Sequence, residues 1–515
     1  MNIDFSKKPT TRVVKTLAPV KRSSSSSSNP PASPQPASRP RPKLPAPSSR
    51  LPPNTTRSVS SPTRRNAPAA SLSTDGKRWT LTKRKAPTPA TPMSWGDSSE
   101  GSEDERLTPR KRVRGSDSLE PDVMRRIRLK DSGDDAPMAL RFLHGADLVT
   151  REDWKDKDVS GFDLKKDFKP AFEGLDEIPI VELQYPSRAQ RERFSLVYPR
   201  DNEGYKPLED IIQSVETICK YYFPHEAEEL LDDGTGFPRR LKRAIQQQSF
   251  TSFKDVLEEF NRLVYDALTS GKTNKAIDEM QSMPLPLTEY ILSQTYARTV
   301  SPRVSSLRRY EAGSNNVYGE LLPRFVHRIF QETRLKSDQV FVDLGSGVGN
   351  VALQAALEVG CESWGIESMP NPSHCAALQK REIAQRARLW NISIGKIHLL
   401  ADDFLDNAEI GQVLNRADVI IVNNKAFSPK LNGALLDRFL DLKEGAKIVS
   451  LKPFVDPDHE IKSFNINDRV NLFRSVEREY FSDSVSWTNE GGKYYIQTKD
   501  RSRLDDFLAS SRRRK

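Results

Sequence analysis

Hydrophobic positions along this chain change their pattern twice, and the changes mark its parts. Residues 1–90 offer almost no large apolar side chain to bury; sixteen prolines, the run Ser23 to Ser28 and repeated Ser-Pro, Arg-Pro and Pro-Ala steps stand there instead. Such a stretch cannot offset the entropy of ordering itself, and disorder is expected. Alternating charge blocks follow, acidic from Asp97 to Glu105 and then basic, before the composition turns globular near Ala139. Ile178 to Leu183 and Phe194 to Tyr198 predict two strands with a polar connection. Helical spacing then takes over. Pro207-Leu208-Glu209-Asp210 opens a helix that continues with Ile211, Ile212, Val215, Ile218 and Cys219, and Phe253, Val256, Leu257, Phe260, Leu263 and Val264 repeat the period. These are packing positions without chemistry, so residues 139–300 are expected to form a mostly helical accessory domain after a tail spanning 1–138.

From residue 301 the pattern becomes short continuous apolar runs separated by helical stretches. Val340 to Val342 reads as a buried strand, followed by a glycine turn and a helix opening at Val351. Ser363 to Glu367, Ile397 to Leu400, Asp418 to Val422 and Lys447 to Leu451 supply four more strands. Strands that alternate with helices predict an α/β domain, a doubly wound sheet, over residues 301–515.

The turn after the first strand carries the first candidate chemistry. A dinucleotide fingerprint starting at Gly345 would place Gly or Ala at position 350, and this chain has Asn350. It has instead an acid on the strand, Asp343, followed by Gly345-Ser346-Gly347-Val348-Gly349. That is the form used for S-adenosylmethionine, which has no pyrophosphate to cradle but has a cation for a carboxylate to hold. The glycines let the backbone approach a ligand and aim the first free helix N–H groups at it. A lone glycine turn is often only a tight turn; the neighbouring strand ends decide. Glu367, 24 residues beyond Asp343, is placed to accept both ribose hydroxyls. Asp403 can accept from an adenine amino group, with Phe404 beside it to stack on the ring, and the fourth strand ends in Asn423-Asn424. Ligands of open α/β sheets bind at such carboxyl ends.

Charge sharpens the picture of the tail. Residues 1–90 carry +16 although the whole chain carries +10, so the body is slightly acidic. A flexible polybasic arm of this kind can neutralise DNA phosphates, and Lys83-Arg84-Lys85 and Pro109-Arg110-Lys111-Arg112 resemble nuclear-import signals. A third cluster, Arg125 to Lys130, completes the expected tail. Cys219, Cys361 and Cys375 lie far apart with no Cys-x-x-Cys pair, which points to a reducing compartment and away from a bound metal. No apolar run approaches a membrane span.

Pro323 to Gln497, extended upstream through Tyr290 to Arg298, resembles the non-SET histone H3 lysine methyltransferases called disruptor of telomeric silencing. The resemblance rests on Tyr310-Glu311, Val317-Tyr318-Gly319-Glu320, the Asp343 to Asn350 turn, Gly365-Ile366-Glu367, Asp403-Phe404-Leu405, Val422-Asn423-Asn424 with Ala426-Phe427, Ser450 to Phe454, and Val485-Ser486-Trp487-Thr488 followed by Tyr494-Tyr495. It implies a seven-stranded methyltransferase domain with S-adenosyl-L-methionine as cofactor. The implied substrate is a lysine in the globular core of histone H3 on the nucleosome, with a role in telomeric silencing in the nucleus. It further implies that Glu311 and Tyr318 lie on a loop closing over the cofactor, and that Asn423, Trp487 and Tyr494 line a narrow lysine channel. Lys425 and Ser428 depart from an aromatic and a glycine of animal members, and Leu321 from a threonine. A long basic arm before the catalytic region is the fungal layout. A monomer is expected, contacting nucleosomal DNA through the tail. Two other readings remain open at this point: an adenine-N6 DNA methyltransferase, which would use the strand-end Asn, and a chromatin scaffold without activity.

Overall fold

The computed structural model describes residues 117–130, 140–149, 167–200, 204–307 and 319–513. Two small antiparallel ladders come first. β2 (Ile180–Leu183) pairs with β3 (Glu192–Ser195), and β1 (Phe168–Pro170) pairs with β4 (Val197–Pro199). The single strand expected from Phe194 to Tyr198 is therefore two. Leu196 breaks it, because its N–H donates to Pro179 and its carbonyl accepts from Ala171.

Helices α1 (Pro207–Tyr222), α2 (Phe237–Gln246), α3 (Phe250–Thr269), α4 (Lys272–Asp278) and α5 (Leu285–Thr299) follow. Each long one buries an apolar stripe, with Ile211, Val215 and Ile218 on α1 and Phe253, Leu257, Phe260 and Val264 on α3 fully inside. Their core does not stop at residue 300. Leu353, Leu357, Ile383, Ala387 and Trp390 of the following α/β region belong to the same cluster as the helical residues.

That α/β region begins with α6 (Pro323–Thr333), β5 (Val340–Leu344) and α7 (Asn350–Gln354), which runs on as a π-turn (Ala355–Val359). Then come β6 (Glu362–Glu367), α8 (Pro370–Leu389), β7 (Ile397–Ala401), α9 (Ala408–Leu414), β8 (Val419–Val422), α10 (Pro429–Arg438) and β9 (Lys447–Ser450). The end is β10 (Phe473–Tyr480), β11 (Gly492–Lys499) and α11 (Ser502–Arg513). One seven-stranded sheet results, in the order β10-β11-β9-β8-β5-β6-β7, with β9 to β7 parallel and β10 and β11 antiparallel. From β5 the chain steps outward to β6 and β7, then returns to the other side of β5 for β8. This reversal opens a crevice above the carboxyl ends of β5 and β8.

Residues 117–130 correct the expected tail. Far from being a solvated basic arm, they form a strap along the body. Ile127 is buried in the main core, Arg128 pairs with Asp278 at 2.8 Å, and Asp122 accepts from the Ser337 N–H at 2.8 Å. Arg125 sends its guanidinium inward to the carbonyls of Leu357 (2.9 Å) and Ser393 (2.7 Å). Burial lowers its pKa to about 10, still charged at neutral pH. Composition alone hides this, because the carbonyls that receive Arg125 lie more than two hundred residues away. Residues 1–116, with the import clusters and most of the polybasic arm, lie outside the described residues.

Candidate functional site

A cavity of about 350 Å³ sits at the crevice between β5 and β8. Its walls come from the turn after β5, the end of β6 with the start of α8, the segment after β7, the turn after β8, and Gly319 to Leu321. Asp343, Gly345, Gly347, Asn350, Glu367, Asp403, Phe404 and Asn423 all line it, so the strand-end residues singled out from the sequence converge on one space. Glu311 and Tyr318 lie outside the described residues.

The glycine turn is fastened to the end of β6 through the Ile366 carbonyl and the Glu367 carboxylate. Gly345 and Ser346 both donate their N–H to the Ile366 carbonyl at 3.0 Å, and Gly347 donates to Glu367 Oε2 at 2.9 Å. Those three backbone donors are thus engaged inside the protein, ahead of the helix that opens at Asn350. Glu367 also accepts from the Met369 N–H through Oε1 at 2.7 Å, which pins the entry to α8. Burial raises its pKa, and the N–H groups of Met369, Gly347 and Ser368 partly oppose the shift. Asp343 is buried beside it. Desolvation, with the Glu367 charge adding to it, pushes the Asp343 carboxyl up to about 7.

Buried Asp343 and half-buried Glu367, with no cation between them among the described residues, favour a positively charged ligand. Asn350 adds a need of the opposite kind: its Oδ1 accepts from Gln379 at 2.8 Å, while its buried Nδ2 has no partner among the described residues. A buried amide donor left unpaired is costly and fits a ligand acceptor such as a carboxylate. On the other side Asp403 is exposed, holding the Leu405 N–H at 2.8 Å, and Phe404 lies 6.1 Å from Phe427, centroid to centroid, with the rings 32° apart. An acceptor beside an aromatic wall suits a base with an exocyclic amine.

Gly319 to Leu321 line a further side of the cavity, and a long hairpin loop between β10 and β11 backs them. Residues 484–486 pair with 320–322 like a short ladder: Leu322 N–H donates to Ser484, Ser486 N–H to Glu320, and Glu320 N–H to Ser486 Oγ, at 2.9 Å each. This carries Trp487 onto Gly319, where a Cβ on the glycine would stand 2.6 Å from the indole. Only glycine allows that approach. Asn423 Nδ2 donates to the Gly319 carbonyl at 3.1 Å, so Asn423, Gly319 and Trp487 form one contiguous wall.

Tyr494 is not part of it. Among the described residues it is fully buried on the α6 face of β11, edge-on to Phe325 at 5.1 Å, in the cluster that also holds Leu321 and Val485. The expectation that Tyr494 lines the channel is corrected by strand alternation, which turns this side chain into the core and Tyr495 to the other face. Its place is behind the Trp487 loop.

A seven-stranded sheet with an antiparallel last pair, an acid and a glycine turn at its switch point, and a second acid at the next strand end define a methyltransferase dependent on S-adenosylmethionine. The particular family follows from comparison. The family described as Histone methylation protein DOT1 matches residues 296–499. A histone-lysine N-methyltransferase, H3 lysine-79 specific, of Aspergillus fumigatus is 48% identical over 84% of this chain and 84% of its own, and one of Emericella nidulans is 48% identical over 78% of each. The chain belongs to this histone methylation family. Among solved structures, an RNA methyltransferase from Salinibacter ruber in complex with S-adenosyl-L-homocysteine aligns with 34% of this chain and 91% of its own, at 19% identity and TM-score 0.24.

Proposed function

We propose that this chain methylates lysine 79 of histone H3 within the nucleosome, and the observation that carries the reading is the continuity of the acid-lined cavity with the Asn423, Gly319 and Trp487 wall. Asp343 would hold the cofactor's positive end, Asn350 its carboxylate, Glu367 the ribose, and Asp403 with Phe404 the adenine. Bound there, S-adenosylmethionine supplies a methyl group on a sulfonium for in-line transfer to an amine. The chain's remaining task is to present a neutral lysine. A free lysine titrates near ~10.4, and the apolar faces of Phe427 and Trp487 disfavour its ammonium by desolvation, so no strong general base is needed. Asn423 orients the amine end. A loop bearing Glu311 and Tyr318 completes the cofactor site in this reading. One chain supplies all these residues, so we take the working unit to be a monomer.

An adenine-N6 DNA methyltransferase typically follows its strand-end Asn with Pro-Pro-aromatic; here Asn424-Lys425-Ala426 follows Asn423. A scaffold without activity would have no need of the intact acids and unpaired Asn350 amide. Labelled S-adenosylmethionine offered in parallel with nucleosomes, free histones and naked DNA tests the assignment, and label on DNA alone would overturn it.

A histone methyltransferase acts in the nucleus, and for the tail we propose both import and DNA contact. Its +16 over ninety residues would give sequence-independent affinity for nucleosomal DNA and raise the local concentration of enzyme at the histone face. Deleting residues 1–116, which leaves the docked strap intact, should preserve cofactor binding, sharply reduce nucleosome methylation and flatten its salt dependence. A scrambled tail of equal charge should restore the rate. Full activity of the deletion across moderate salt would limit the tail to other roles.

Cofactor affinity should depend on pH through Asp343. In the free protein its carboxyl titrates at about 7, and a cationic ligand favours the ionised form, so binding at lower pH must expel a proton. Affinity measured by calorimetry should rise by up to about tenfold per unit between pH 6 and 7 and level off above about 8. Stability runs the opposite way. An acid raised above its unfolded value of about 3.9 makes the unliganded fold progressively less stable as pH climbs from about 4 to 7. The stabilisation conferred by cofactor should therefore be larger at pH 8 than at pH 6, and Asp343→Asn should abolish the dependence.

A further inference from the structure

The wall residues Asn423 and Phe427 stand at the two feet of a tight turn, and something must hold that turn while a substrate side chain passes it. β8 and β9 stop pairing through their backbones at Val422 and Ser450. The next position in register is taken over by a side chain. Asn424, fully buried, accepts the Lys452 N–H through Oδ1 at 2.8 Å and donates Nδ2 to the Lys452 carbonyl at 3.0 Å. It thus offers Lys452 the donor and acceptor of a peptide group, and its own backbone is released to turn toward the cavity. The same Oδ1 accepts from the Leu451 N–H at 3.0 Å, and Nδ2 also reaches Asn432 on α10 at 3.2 Å.

Lys452 closes the circuit. Its Nζ donates to the Phe427 carbonyl at 3.1 Å, and the Phe427 N–H donates to the Asn424 carbonyl at 3.1 Å. Asn424, Lys452 and Phe427 are linked in a ring of hydrogen bonds, and no member is free to shift alone. The tip of the turn, Lys425-Ala426, is exposed.

We propose that Asn424 and Lys452 are positioning residues for methyl transfer, setting the placement of Asn423 and Phe427 and with it the width of the passage that the target lysine and its successive methyl groups must share. Neither needs to touch substrate. The inference rests on the lysine methyltransferase reading above. Lys452 is the sharper handle, because among the described residues its ammonium holds only the Phe427 carbonyl, while its backbone keeps the Asn424 pairing whatever the side chain. In Lys452→Met the turn loses one anchor and the β8 to β9 junction stays.

The test uses full-length protein. Lys452→Met should leave the affinity for S-adenosylhomocysteine within about threefold and the melting temperature near that of the parent, while kcat on nucleosomes falls by roughly 10–100-fold, the cost expected of a wall misplaced by about an ångström. The proportion of mono-, di- and trimethyl product should change, and Lys452→Arg, which can donate to the same carbonyl, should restore both rate and product ratio. Hydrogen exchange at the amide of Phe427 should quicken in Lys452→Met and not in Lys452→Arg. That last readout needs no histone, so it separates failure of this proposal from failure of the nucleosome assignment: if nucleosomes are not methylated by the parent, exchange still decides. Unchanged exchange with unchanged kcat and product ratio in Lys452→Met would overturn the proposal. A uniform loss of stability and cofactor binding that Lys452→Arg does not rescue would overturn it equally, by reducing Lys452 to a structural part.

Discussion

Arg298→Met should destabilise the protein by about 3–5 kcal/mol at neutral pH, the cost of stripping the partner from buried charges. Arg298, on α5, is fully buried and donates to Glu192 Oε1 at 2.7 Å and Asp210 Oδ2 at 2.6 Å. Glu192 is shared with Arg386 of α8 through contacts of 2.7 Å, and Arg386 in turn holds Glu382 at 2.9 Å. Three acids and two arginines therefore sit together, and Arg298 is the partner Asp210 depends on. Burial opposes every charge in the group. The arginines nevertheless hold Asp210 down at about 2 and Glu192 below the usual carboxylate range.

The sign with pH follows. In the parent, depressed carboxyls contribute stability that is present above their unfolded values of about 4 and is lost as pH falls through their folded values. Without Arg298, burial is left to push Asp210 upward while Glu192 keeps Arg386 alone, so the penalty at Asp210 grows as pH rises. The gap in denaturation midpoint between parent and Arg298→Met should be widest near pH 7 and narrow toward pH 4. An unchanged gap would show that lost packing, not lost charge, sets the cost. There is a functional side as well. α8 begins with Pro370 to Pro372, which line the cavity, and Arg386 on the same helix is tied to β3 and, through Glu192, to α5. The helical region thus braces the helix that forms one wall of the cofactor space.

None of that network was legible in the sequence, because Glu192, Asp210, Arg298, Glu382 and Arg386 come together only through tertiary packing, and a charged residue read alone looks solvated. What was legible was local. β5, β8 and β9 are buried on both faces, so they appear as unbroken apolar runs, and the polar residue closing each run marks the sheet's carboxyl edge. Asp343 and Asn423 stand at the ends of such runs, Glu367 closes β6 and Asp403 follows the half-buried β7, and the cavity gathers all four. β10 and β11 left no such trace, since Phe473-Arg474-Ser475-Val476-Glu477 mixes polar residues into both faces. Arg125 to Lys130 has the composition of a tail, and only the carbonyls at Leu357 and Ser393 reveal that Arg125 points inward. Asn424 was noted beside Asn423, yet its task belongs to a turn whose other half, Lys452, is 28 residues away.

Gly345→Arg should abolish detectable cofactor binding in calorimetry, a loss above ~100-fold, while the fold survives. Gly345 holds φ at +83°, and a methyl built on it would meet nothing nearer than Phe427 Cζ at 3.8 Å. A small side chain is therefore limited by backbone strain of about 1–3 kcal/mol, not by space. A long one enters the cavity. Its guanidinium would find Asp343 and Glu367 within the same walls, so the variant supplies internally the cation that the two acids otherwise take from the ligand, and fills the volume as it does so. Charge and volume act in the same direction. The N–H bonds from Gly345 and Ser346 to Ile366 do not depend on a hydrogen at Cα, which is why the sheet should remain. Gly345→Ala separates the two contributions: it carries the strain without the occupancy and should retain binding within about tenfold of the parent. The pH profile adds a second check, because an arginine beside Asp343 would pull its titration back toward the ordinary carboxylate range and make the unliganded variant's stability flat between pH 5 and 8. Normal affinity in Gly345→Arg, with a melting temperature near that of the parent, would mean that the cofactor lies elsewhere.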